Sequence, residues 1–201
     1  QLGKVTGEAD LQGRVYGELS DLKLAGQVTG KQLQLDQYHL GRTTATVHYE
    51  QPNLYIRNGK LSSRDNQYQF QGSINLDQHK FNQFTIDILQ GDLAYLDQFL
   101  KEDLQLTHRL QGRMIVNGLL RQPKVNLDLV VNDVDQTGKL QLQGNYWVQK
   151  GIDLNLAARK FTVAPLTNLK SLIGFKLPVS NLGGEASLTG RLTGDLDNLN
   201  L

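Results

Sequence analysis

The chain has 201 residues, and 21 Lys plus Arg stand against 20 Asp plus Glu, so its net charge is +1. No block of like charge breaks this balance, and the basic stripe expected of a nucleic-acid partner is missing. No cysteine is present, which removes disulfides, thiol catalysis and thiolate zinc sites, and no apolar run reaches the ~18 residues that a membrane-spanning helix needs.

Apolar residues alternate with polar ones from the start, the period of a strand with one buried face. Leu11, Val15 and Leu24 open the pattern; Val28, Leu33 and Leu35 continue it with one-residue slips, and Val47 and Tyr49 follow. Leu54-Tyr55-Ile56-Arg57 then meets Asn58-Gly59 before Lys60-Leu61. Both residues of an Asn-Gly pair tolerate positive φ, so the spacing predicts a hairpin turn there. Tyr68, Phe70, Gly72, Ile74 and Leu76 form a period of two. Asp77-Gln78-His79-Lys80 is read as a turn, and Phe84, Ile86 and Ile88 as the return strand.

The period then changes. Leu93, Leu96, Phe99 and Leu100 are spaced by three and four, which predicts a short helix near 92–103 with Asp92 as its N-cap. Strands resume with Leu106, His108, Leu110, Gly112, Met114 and Val116, ending at Gly118, with Pro123 placed in the connection that follows. Val125, Leu127, Leu129 and Val131 make one strand; Leu140, Leu142, Gly144, Tyr146 and Val148 make the next. Gln149-Lys150-Gly151 turns into Ile152, Leu154 and Leu156. Pro165, Leu166, Leu169, Leu172, Ile173 and then Gly174 predict a second helix near 165–173, with Pro in the first turn and Gly past the end.

One pattern occurs twice. Leu11-Gln-Gly13-Arg14-Val15-Tyr-Gly17-Glu-Leu19-Ser-Asp21-Leu22-Lys-Leu24 superposes on Leu188-Thr-Gly190-Arg191-Leu192-Thr-Gly194-Asp-Leu196-Asp-Asn198-Leu199-Asn-Leu201. Self-similarity of this kind marks a repeat architecture. The expected fold is mostly β: a long, curved antiparallel sheet forming a groove, with two short helices. Residues 1–201 are expected to form a single repeat-built segment of a longer protein. Glycines at Gly13, Gly17, Gly72, Gly112, Gly144 and Gly190 fall on the apolar face, where they relieve crowding.

The candidate chemical motifs are weak. His39, His48, His79 and His108 lack the spacing of a zinc helix or finger and are read as strand or surface histidines. Asp133-Val-Asp135-Gln-Thr137-Gly138 begins like a calcium loop, but its twelfth position is Gly144 rather than a bidentate Glu, so it is read as a hairpin turn. There is no G-x-S-x-G elbow, and Gly183-Gly184 precedes a strand rather than a helix, so it is no anion cradle. No catalytic, metal or cofactor-binding residue is assigned, and no enzyme is expected.

The alternating apolar face remains. It either packs onto a second sheet as an ordinary sandwich core or stays open as a groove. The repeat and the scarcity of helices to cover so many strands favour the groove. Its predicted lining is Phe70, Ile74, Leu76, Phe84, Ile86, Ile88, Met114, Val116, Val125, Leu127, Leu129, Leu140, Leu142, Tyr146, Leu154 and Leu156.

The strand Leu188 to Asn198, the run from Leu93 through Leu110-Gln-Gly112-Arg-Met114-Ile-Val116-Asn-Gly118 to Pro123, and the run Pro165 to Gly194 together resemble the repeating unit of the AsmA-like, TamB-type (translocation and assembly module) proteins. In its Gln- and Asn-rich polar face the chain resembles a cyanobacterial or plastid-type member of that family. The resemblance implies a β-taco anchored in the inner membrane and reaching through the periplasm. It implies passage of phospholipid acyl chains towards the outer membrane and cooperation with a TamA-type barrel protein through another part of the full protein. It brings no catalytic residues. Two further readings remain: a chaperone-like β scaffold that holds outer-membrane strands by edge pairing, and a jelly-roll unit of lipopolysaccharide transport.

Overall fold

The computed structural model describes residues 5–18, 21–35, 38–64, 66–92, 109–132, 138–148, 150–162, 184–195 and 198–200. Twelve strands make up the regular structure among these residues, and no helix occurs among them. They are β1 (Val5–Glu18), β2 (Asp21–Leu35), β3 (Tyr38–Glu50), β4 (Asn53–Ser62), β5 (Gln67–Asn75) and β6 (Lys80–Asp92). There follow β7 (Arg109–Leu119), β8 (Gln122–Asn132), β9 (Lys139–Trp147), β10 (Gly151–Thr162), β11 (Glu185–Asp195) and β12 (Asn198–Asn200). Both predicted helices, near 92–103 and 165–173, lie outside the described residues except for Asp92, which closes β6. Leu106 and His108 lie outside them too.

The chain divides into two compact units, Gln1–Gln90 with Ile115–Pro123, and Gly91–Met114 with Lys124–Leu201. In the first unit β1 to β6 pair antiparallel in chain order. The C-terminal half of β7 lies beside β6, where the Gln83 backbone N–H donates to Asn117 Oδ1 at 2.9 Å and the Leu120 N–H to the His79 carbonyl at 2.7 Å. In the second unit β8 to β12 likewise pair antiparallel in chain order. Consecutive hairpins are the simplest way to satisfy the backbone groups of strands that follow one another closely.

The one-residue slips in the sequence pattern are β-bulges. β2, β4, β6 and β10 each carry an extra residue against a neighbouring strand, at Gly30/Leu33, Ile56/Gly59, Gln71/Ser73 opposite β6, and Ala158/Phe161. A left-handed residue sits inside each: Gln32 (φ 51°), Asn58 (φ 50°), Gln83 (φ 47°) and Lys160 (φ 47°). In every case the apolar register changes parity there, as from Leu54 and Ile56 to Gly59 and Leu61. The bulge rotates the strand by one residue, so the apolar set returns to the same face instead of flipping to the other.

This overturns the hairpin expected at Asn58-Gly59. β4 runs straight through the pair, because positive φ at Asn serves a bulge as well as a turn. Pro123 is likewise not in a connection but is the second residue of β8, ahead of the β8–β9 ladder that starts at Lys124↔Trp147. The turn after β5 spans Leu76 to His79, so Leu76 is a turn residue, 41% exposed, and its N–H donates to the Pro52 carbonyl at 2.9 Å.

The terminal repeat is structural. β1 meets β2 at Gly17↔Leu22 and Glu18↔Asp21, and β11 meets β12 at the matching Gly194↔Leu199 and Asp195↔Asn198. Both copies therefore make the same hairpin. Among the described residues the buried apolar side chains are few: Ile88 in the first unit, and Val131, Leu154, Ala158 and Phe161 in the second.

Candidate functional site

Strand register assembles the apolar residues into rows. In the first unit one row runs across six strands: Val15, Leu24, Tyr49, Leu54, Ile74 and Phe81. The adjacent row is Gly13, Gly26, Val47, Ile56 and Gly72. Glycine is required at the first pair, where a Cβ on Gly13 would sit 2.8 Å from Gly26 Cα. Beyond the bulges Phe70 pairs with Ile86 and Tyr68 with Ile88. Phe84 faces the same way, stacked on Phe70 with centroids 6.2 Å apart and tilted against Phe81 at 5.6 Å. Phe70 and Ile74 are half-buried while Gln69 and Gln71 are exposed, as the period of two requires.

In the second unit the rows are Val125, Tyr146, Ile152 and Gly194; Leu127, Gly144, Leu154 and Leu192; Leu129, Leu142, Leu156 and Gly190; and Val131, Leu140, Ala158 and Leu188. Val131, Ala158 and Phe161 form a buried cluster against which Leu110, Leu140 and Leu142 pack. Met114 and Val116 are half-buried on β7, one in each unit.

Strand register puts Ile74 in the first unit's rows, with Phe70, Phe84, Ile86 and Ile88 beside them, and Val125, Leu127, Leu129, Leu140, Leu142, Tyr146, Leu154 and Leu156 in the second unit's rows; Leu76 is in a turn, and Met114 and Val116 are in none of these rows. The prediction omitted Val15, Leu24, Tyr49 and Leu54, although they carry the same period of two, and Phe161, whose parity is hidden by the bulge at Lys160.

The first unit's face is open: Val15 is 64% and Leu11 54% exposed.

Two groups of charged side chains pair among the described residues. Lys23 Nζ lies 2.6 Å from Glu50 Oε1 and 3.7 Å from Asp21 Oδ2. The hydrogen bond to Glu50, then the Asp21 charge, raises the Lys23 pKa, and the same Lys23 bond lowers that of Glu50. Arg191 forks Asp153 through Nε at 2.7 Å and Nη2 at 2.8 Å, which holds the Asp153 carboxyl below its ordinary range. This pair joins residues 38 apart, and strand pairing alone brings them together.

His48 Nε2 lies 3.7 Å from Glu50 Oε2, and His79 stands in a turn with Nδ1 3.2 Å from the Asp77 carbonyl. No cluster of three or more metal-ligating side chains occurs among the described residues. β8 and β9 pair up to Asn132↔Lys139, as a hairpin requires; residues 133–137 of the calcium-like stretch lie outside the described residues. Models of known protein families, characterised proteins and solved structures were all compared with the chain, and none matches it.

Proposed function

We propose that this chain is a segment of a lipid-conduit protein of the AsmA-like, TamB type, whose apolar face carries phospholipid acyl chains between the inner and outer membranes. On this reading the rows line a curved β-taco groove in the periplasm. The full protein is anchored in the inner membrane and works with a TamA-type barrel protein through another of its parts. The observation that carries the reading is the row from Val15 to Phe81, six apolar residues in line across six strands with Val15 64% exposed. Such a face is costly in water unless a ligand covers it. The rows present apolar side chains and glycines and no cluster of Arg or Lys to clamp a phosphate, so affinity follows the acyl chain at about 0.8 kcal/mol per buried CH₂ and responds weakly to salt.

The test is photo-crosslinking in cells from Ile86 and Leu127, one in each unit, with lipid classes identified by mass spectrometry. Several phospholipid classes labelled roughly in proportion to their abundance is the expected result. Leu127→Asp places a carboxylate against acyl chains at a cost of several kcal/mol. It should abolish labelling from Leu129 while the strand signature in circular dichroism persists. Crosslinks to protein alone from both positions would overturn the conduit in favour of a strand-holding scaffold.

A further inference from the structure

The chain carries two Asn-Gly pairs, Asn58-Gly59 in β4 and Asn117-Gly118 in β7. An asparagine amide is at its most labile before glycine, which has no side chain to keep its backbone nitrogen away from the amide carbon. The fold treats the two pairs differently.

Asn58 is exposed and stands at φ 50°. The register with β3 passes from Arg57 to Lys60, and the register with β5 from Ile56 to Gly59, so both neighbouring ladders skip Asn58. Its torsions turn through local opening of the bulge, without parting the whole strand from its neighbours. Asn117 is half-buried, and its Oδ1 accepts the Gln83 N–H at 2.9 Å, which ties the amide to β6. The fold also holds the labile pair of β4 in place. The left-handed position favours Asn over most side chains, and a Cβ on Gly59 would run into the Phe70 ring.

We propose that Asn58-Gly59 is a site of spontaneous deamidation in the folded chain, and that its isoaspartyl product breaks the β4 bulge. The Gly59 backbone nitrogen attacks Asn58 Cγ. Nδ2 leaves as ammonia, taking the Gly59 proton with it, and a cyclic succinimide remains. Water then adds to either ring carbonyl and opens the ring to aspartate or isoaspartate. The net change is amide plus water to carboxylate plus ammonium, with no oxidation or reduction. Isoaspartate routes the main chain through the former side chain and so adds a backbone carbon where the strand changes parity. Leu54 and Ile56 then lose their alignment with Gly59 and Leu61, and the first unit's apolar face is altered.

The test ages the intact chain at mildly alkaline pH, folded and in urea, and maps its peptides by mass spectrometry with isoaspartate separated from aspartate. Each pair's rate in urea is its reference, since only the shared Asn-Gly chemistry remains there. Relative to that reference, Asn58 in the folded chain should convert about two- to tenfold faster than Asn117, the factor supplied by the one net hydrogen bond that Asn117 must give up. Hydrogen exchange of the aged chain should show lost protection in β4, and an aged Asn58→Gly chain, which cannot form the product there, should keep it. No product at Asn58 in the folded chain, or relative conversion of Asn117 at an equal or greater rate, would overturn the site. Protection of β4 that is unchanged on modification, or lost equally from the Asn58→Gly chain, would overturn the broken bulge.

Discussion

The two units use the same alternation and the same bulges, yet they bury their apolar rows to different depths. In the second, Phe161 is 2% exposed and closes with Val131 and Ala158 into a cluster, with Leu154 buried in the neighbouring row. In the first, Ile88 alone of the described apolar residues is buried, and the row that begins at Val15 stays half-open. The difference shows that a period of two decides which face a residue joins and leaves open how deeply that face is covered. Stability and ligand access are therefore expected to be distributed unevenly: the closed cluster holds the second unit, and the open rows of the first are free to bind.

The largest effect should come from the cluster. Phe161→Ala is expected to cost about 3–5 kcal/mol, the range for a fully buried aromatic side chain. Phe70→Ala, at a half-buried position in the first unit, should cost about 1–2 kcal/mol. Urea denaturation of both variants measures the gap. Equal losses would mean that the first unit's face is as closed as the second's.

A smaller effect tests what the units share. Asn58 sits at φ 50° inside the β4 bulge, a conformation that a β-branched residue rarely adopts. Asn58→Val should cost about 1–2 kcal/mol, while Asn58→Gly should leave the denaturation midpoint nearly unchanged. The same contrast at Lys160 places the second unit's bulge on the same footing; a tolerated valine at either site would break the parallel.

The smallest effect is electrostatic. The Arg191 fork depresses the Asp153 pKa in the folded chain, so the unfolded chain takes up the proton first as pH falls. The contribution is therefore complete above the unfolded aspartate value of about 3.9 and is lost as pH drops through the lower folded value. Asp153→Asn should flatten that part of the acid limb. The Lys23–Glu50 pair of the first unit follows the same sign through the lowered Glu50 pKa. Comparing the acid limbs of Asp153→Asn and Glu50→Gln shows which unit leans more on its surface pairs.

Much of the architecture was legible in the residues. The runs at Tyr68 to Ile74, Val125 to Val131 and Leu140 to Tyr146 announced their strands and faces, because side chains on an extended backbone must alternate. The terminal repeat announced a repeated unit, and the structure shows that both copies make the same hairpin pairing. Asn58-Gly59 misled, since a bulge and a two-residue turn make the same demand on φ and only the path of the neighbouring strand separates them. Phe161 was missed for a related reason: a bulge resets the parity, so a residue on the wrong beat of the alternation lands on the apolar face.

By itself the sequence determined strand content, the two faces, the positions of the glycines and the kinship of β1 and β11. These follow from local backbone geometry and from side-chain chemistry repeated along one strand. Only the tertiary structure decided the register that lines up Val15 with Phe81 five strands away, the meeting of Arg191 with Asp153, and the closure of Phe161 against Val131. Pairing depends on which backbone groups are left for a neighbour and on how bulges rotate each strand, and neither is contained in the period of a single run.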